Sequence, residues 1–115
     1  VLKSGASGYE HPVYILVNEH SFSAASVFTS AFKGLPNVKI VGVTTDGSSG
    51  NSKRIHLKNS NIQLRVSTML SFQRNGKTLD GNGTEPDIPL PEKAEQVLKG
   101  TDVQLQQLME AINGM

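Results

Sequence analysis

The stretch from Val13 to Leu35 constrains this chain most: a run of strand-forming residues breaks into a serine-rich turn, and a helical pattern begins at once. Val13-Tyr14-Ile15-Leu16-Val17 is continuously apolar and mostly β-branched or aromatic, as expected of a strand buried on both faces of a largely parallel sheet. Ala24, Val27, Phe28, Ala31, Phe32 and Leu35 then recur at helical spacing, which predicts a helix from about Ser23 with these residues as its apolar face. Gly34 and Pro36 end it near Lys33. Val38 to Val43 reads as the next strand. Strand, helix and strand at this spacing predict a right-handed βαβ unit with parallel strands, so the serine turn and the Val43 end share one edge. A serine in that turn lies beside unpaired N–H groups at the positive end of the helix dipole. Ser21 or Ser23 therefore serves either as an ordinary helix cap or as a nucleophile that shares its turn with an oxyanion site.

Thr44 to Ser52 is a loop by composition and leaves the same edge. Lys53 to Leu57 and Ile62 to Phe72 are predicted strands joined through Lys58-Asn59-Ser60-Asn61. In the second, Ile62, Leu64, Val66, Thr68, Leu70 and Phe72 alternate with Gln63, Arg65, Ser67, Met69 and Ser71, which predicts one buried and one wet face. Asn75-Gly76 and Asp80-Gly81-Asn82-Gly83 mark turns, and Pro86 to Leu90 is extended. A short helix is expected from about Glu92 to Leu98. Another begins at the capping-box pattern Thr101-Asp102-Val103-Gln104, with Leu105, Leu108, Met109 and Ile112 as its apolar face.

Composition excludes several functions. The 115 residues, 37% hydrophobic, hold material for one modest core, and the chain reads as a single domain. A net charge of +1 without a basic, aromatic-interleaved run argues against a nucleic-acid partner. The absence of cysteine rules out disulfides, thiolate catalysis and cysteine-ligated zinc. His11, His20 and His56 lack the helical spacing of a zinc motif, so neither a metal nor another cofactor is expected. The longest apolar run, five residues, is too short for a membrane span. No signal peptide opens the chain, so either the protein is cytoplasmic or a leader lies outside this sequence.

Four blocks, in order, carry a resemblance: Pro12 to Asn18, Ser21 to Ser26, Val41 to Gly47, and Gly83-Thr84-Glu85-Pro86-Asp87-Ile88. Together they resemble the C-terminal half of the protease domain in the C-terminal processing (tail-specific) serine peptidases, particularly the branch of the tricorn core protease. The resemblance implies an α/β fold of the Clp protease and crotonase type, present here in part, with a mainly parallel sheet and flanking helices. It divides the chain into a lead-in (1–11), a family-like body (12–90) and C-terminal helices (91–115). It implies hydrolysis of peptide or unfolded-protein substrates through Ser23, the second serine of a Ser-x-Ser pattern, with the Ala24 N–H as oxyanion donor. An extracytoplasmic location, in the cell envelope or secreted, follows from the same resemblance.

The departures from the family pattern define what else is expected. The lysine that many members use as general base aligns with Ser48, and a hydroxyl cannot take the proton. Lys53 would replace it only if the loop folded back. In the tricorn-like branch a histidine from earlier in the chain is the base and a glutamate supports it; Asp80 stands near that position, either as an orienting acid or as a plain turn residue. The family's glycine-rich oxyanion turn also lies upstream of the block at Pro12, so the upstream part of the same protease is the expected partner. Alternatives are a non-catalytic relative that binds peptide or an apolar ligand, and a crotonase-like acyl-CoA enzyme that would not need Ser23.

Overall fold

The computed structural model describes residues 8–98 and 100–114. Strand β1 (Val13–Val17), helix α1 (Ala24–Phe32) and strand β2 (Val38–Gly42) form the βαβ unit, with β1 and β2 parallel from Val13↔Val38 to Val17↔Gly42. Strands β3 (Ser52–His56) and β4 (Gln63–Ser67) follow as a separate antiparallel pair. The extended segment predicted after Pro86 contains β5 (Ile88–Pro89), which completes a parallel sheet of order β1-β2-β5. Helices α2 (Ala94–Val97) and α3 (Val103–Asn113) close the chain. Residues 1–7 of the expected lead-in lie outside the described residues. The core is thin: Val17, Val38 and Ile40 form its buried cluster, with Val13, Ile15, Phe32 and Leu35 packed against them, and Val41, Leu79 and Leu108 are buried besides.

Three glycines let the backbone close over the edge where β1 and β2 end. A Cβ on Gly42 (φ +131°) would stand 1.9 Å from the Val17 carbonyl oxygen. Gly47 and Gly83 lie where the loop after β2 crosses the segment leading to β5; a Cβ on Gly83 (φ +68°) would stand 2.0 Å from the Thr45 carbonyl oxygen. Such contacts exclude every other residue type.

The face of α1 that packs inward differs from expectation. The buried residues are Ser26 (0% exposed) and Thr29 (2%), whereas Val27 (43%) and Phe28 (52%) of the predicted stripe point outward, as do Ala24 and Ala31. The reason is a buried polar clasp: Ser26 Oγ and Thr45 Oγ1 are hydrogen-bonded at 2.9 Å, and Thr45 Oγ1 also accepts the Thr84 N–H at 2.9 Å. Two small hydroxyl side chains thus fill the space between helix and loop here. Phe32 and Leu35, at the end of the stripe, do reach the core.

The predicted strand from Ile62 to Phe72 is also shorter and more exposed than expected. It ends at Ser67, and every residue of β4 is exposed, because no further strand or layer covers the hairpin among the described residues. Beyond it the chain folds back on itself, pairing Leu79 N–H with the Ser71 carbonyl and Gln73 N–H with that of Lys77 around the turn at Asn75-Gly76. At α3 the cap is Asp102 rather than Thr101: its side chain accepts the Leu105 N–H at 2.8 Å. Gln104, instead of reaching back, is buried and donates Nε2–H to the Leu90 carbonyl. Leu108 is buried as predicted, but Leu105 and Met109 are exposed.

Candidate active site

Ser23 stands where β1 gives way to α1, at the N-cap position, yet it is no ordinary cap. A capping serine lies in the β region and its hydroxyl accepts an N–H of the first turn. Ser23 has φ 53° and ψ −121°, and its side chain makes no capping hydrogen bond. A residue with a Cβ held there carries backbone strain of about 1–3 kcal/mol, which persists only when the surroundings impose it.

The surroundings are the loop after β2. Asp46 N–H donates to the Ser21 carbonyl at 3.2 Å, and Ser23 N–H donates to the Ser48 carbonyl at 2.7 Å. Ser21, the other candidate, is occupied: its Oγ accepts the Asn18 N–H at 3.1 Å and closes the turn before the helix. Thus the Ser23 N–H is used to hold the turn. The next N–H, of Ala24 at the positive end of α1, has no backbone acceptor among the described residues.

Ser23 opens into a cleft of about 470 Å³ lined by Phe22, the loop from Ser48 to Ser52, and Arg65 and Ser67 of β4. Ser48, expected from the resemblance to stand where many relatives have a lysine, turns its hydroxyl and its N–H to the Asp46 carboxylate. Lys53 does not line the cleft. It follows Ser52 by one residue along β3, and strand alternation sends its side chain to the opposite face of the hairpin. Asp80 accepts the Ser71 N–H at 2.7 Å and lies 3.5 Å from the Ser49 hydroxyl, so it ties down the loop beside Ser23. No histidine lines the cleft; His20 lies in a separate depression with Glu19 and Glu92. The described residues contain no cluster of three or more metal-ligating side chains.

Among the described residues, the cation that lines the cleft is Arg65, which sequence reasoning did not single out. Its signal was the alternation of β4, which already placed Arg65 and Ser67 on the polar face. What the sequence lacked was the docking of that face against the Ser23 turn.

The site's frame is shared with known peptidases. A carboxy-terminal-processing protease of Bartonella bacilliformis is 34% identical over 100 residues, 84% of this chain and 22% of that protein. The structure of mature CPAF complexed with lactacystin aligns with a TM-score of 0.79 at 26% identity, covering 95% of this chain and 22% of the other. The tricorn protease, at 20% identity, shares the fold, with a TM-score of 0.70 over 88% of this chain and 10% of its own. The α/β architecture is accordingly part of a Clp protease-like fold. Because the model of peptidase family S41 matches residues 2–90, most of its length, the chain belongs to that family.

Proposed function

We propose that this chain carries the nucleophile of a serine peptidase that cleaves peptide or unfolded-protein substrates by acyl transfer. The observation that supports it most is the strained Ser23 turn, whose hydroxyl is free of capping duty and opens into the cleft. In the reaction, Ser23 Oγ attacks the scissile carbonyl and gives its proton to a base, and the Ala24 N–H receives the developing oxyanion. The protonated base then passes that proton to the leaving amine, and water hydrolyses the acyl-enzyme by the reverse sequence. No cofactor is needed. The chain spans 22% of the length of its Bartonella relative, and the base and a second oxyanion donor are assigned to the rest of the enzyme. Asp80 stands as the acid that would orient such a base, in addition to holding Ser71. The kinship with processing proteases favours action in the cell envelope or outside the cell; no described helix is long and apolar enough to cross a membrane.

One observation favours the non-catalytic alternative: among the described residues, neither lysine nor histidine lines the cleft. A fluorophosphonate probe applied to the full-length protein decides between them. Labelling that disappears in Ser23→Ala supports the peptidase; no labelling of the wild type overturns it.

A further inference from the structure

The hairpin face that walls the cleft is cationic. Alternation along the strands puts Ser52 and Arg54 of β3 on the same face as their partners Ser67 and Arg65 of β4. Arg54 and Arg65 therefore stand directly opposite each other, a like-charge pairing that destabilises a bare hairpin. Neither guanidinium has a carboxylate partner among the described residues. Arg65 Nε–H donates to Ser52 Oγ at 2.7 Å, which holds the guanidinium at the cleft and leaves its other N–H groups for an incoming acceptor. No acidic residue lines the cleft, since Asp46 and Asp80 are turned to Ser48 and Ser71.

A guanidinium so placed matches a carboxylate, which it can bind through two parallel N–H donors. We propose that Arg65 is a specificity-determining residue that captures a carboxylate of the peptide bound beside Ser23, with the charge of Arg54 reinforcing the attraction. This rests on the cleft being a peptide site, but not on Ser23 being chemically competent. A carboxylate can come from an acidic side chain or from the free carboxyl terminus of the substrate, and the test separates the two.

The full-length protein carrying Ser23→Ala is titrated, by fluorescence anisotropy, against N-terminally labelled peptides of otherwise neutral sequence. One contains glutamate and an amidated terminus, a second glutamine and a free terminus, and a third glutamine and an amidated terminus. At least one carboxylate peptide should bind about tenfold more tightly than the third, as expected of a charge-assisted hydrogen bond. The preference should shrink at high salt, vanish in Arg65→Gln and survive in part in Arg65→Lys. Equal affinity for all three peptides, no binding of any, or an undiminished preference in Arg65→Gln overturns the proposal. Failure of the catalytic reading is distinct: carboxylate preference without fluorophosphonate labelling of the wild type sinks the peptidase and keeps Arg65, whereas labelling without preference does the reverse.

Discussion

At Ser23 the backbone and the side chain make separate contributions, and substitution can separate them. In ordinary conformations Gly is less stable than Ala by about 0.5–1 kcal/mol, because it loses more chain entropy on folding. At φ 53° and ψ −121° the Cβ itself is the liability. Ser23→Gly should therefore be at least as stable as Ser23→Ala in denaturant unfolding of the full-length protein, and both should lose probe labelling. A Ser23→Gly variant clearly less stable than Ser23→Ala would show that the turn stores no strain. The place of Ser23 between strand and helix was legible in the chain, because Val13 to Val17 and the helical spacing after it bracket the turn. Its backbone angles were not, since they come from hydrogen bonds to a loop some twenty-five residues on, at Asp46 and Ser48. Arg65 was illegible as a site residue for a similar reason: its face could be read, but what that face meets is a tertiary fact.

Among the elements, the strand, helix and parallel strand of the βαβ unit formed in the predicted order, but β1, read as buried on both faces, is only half-buried from Val13 to Leu16, and α1 shows where pattern stops being a guide. Its apolar stripe was real but faces outward except at Phe32 and Leu35, because the Ser26–Thr45 clasp decides which side packs. The other end of α1 is held by charge. Lys33 Nζ bonds Asp87 Oδ1 at 2.6 Å and the Glu85 carbonyl at 2.8 Å, while Asp87 Oδ2 accepts the Ile40 N–H at 2.8 Å, joining helix, β2 and β5. Burial alone would push the Asp87 carboxyl up, but the Lys33 hydrogen bond, the Ile40 N–H and the charges of Lys33 and Lys39 together hold it below its ordinary 3.8. A carboxyl depressed on folding stabilises the fold above its unfolded value, and that contribution is lost as pH falls through the lower folded value. Unfolding free energy should thus decline with acid below about pH 3.8, and Asp87→Asn should flatten this limb; an unchanged acid limb in Asp87→Asn would refute the assignment. The loop crossing at Gly83 should be less forgiving. Gly83→Ala sets a Cβ against the Thr45 carbonyl at a positive φ, so it should cost about 2 kcal/mol or more in equilibrium unfolding. A value under about 0.5 kcal/mol, the range of ordinary surface substitutions, would mean that the two loops do not cross so closely.

For the molecule as a whole, the fold cannot be understood from its own core. A chain of this length that packs as an independent globule has a radius of gyration of about 13 Å; here it is 18.2 Å, with extents of 64 × 45 × 23 Å. Four buried aliphatic residues in the sheet, Val17, Val38, Ile40 and Val41, at about 1.5–3 kcal/mol each, are little to set against the conformational entropy of so many ordered residues. Large apolar side chains remain uncovered near the site and beyond it, among them Phe22, Phe28, Leu70 and Phe72. These positions were legible as apolar, but composition could not reveal that nothing among the described residues covers them. The same incompleteness governs chemistry. With neither lysine nor histidine among the described residues that line the cleft, Ser23 has no base there to take its proton, and one oxyanion donor fewer costs about a hundred- to a thousandfold in rate. Removing a triad member leaves only the residual catalysis of binding and the remaining donors. The isolated 115-residue chain should accordingly bind a hydrophobic dye such as ANS and cleave no unstructured protein measurably. Cleavage by the isolated chain that disappears in Ser23→Ala would show that this chain contains a complete site and that the base has been assigned to the wrong part of the enzyme.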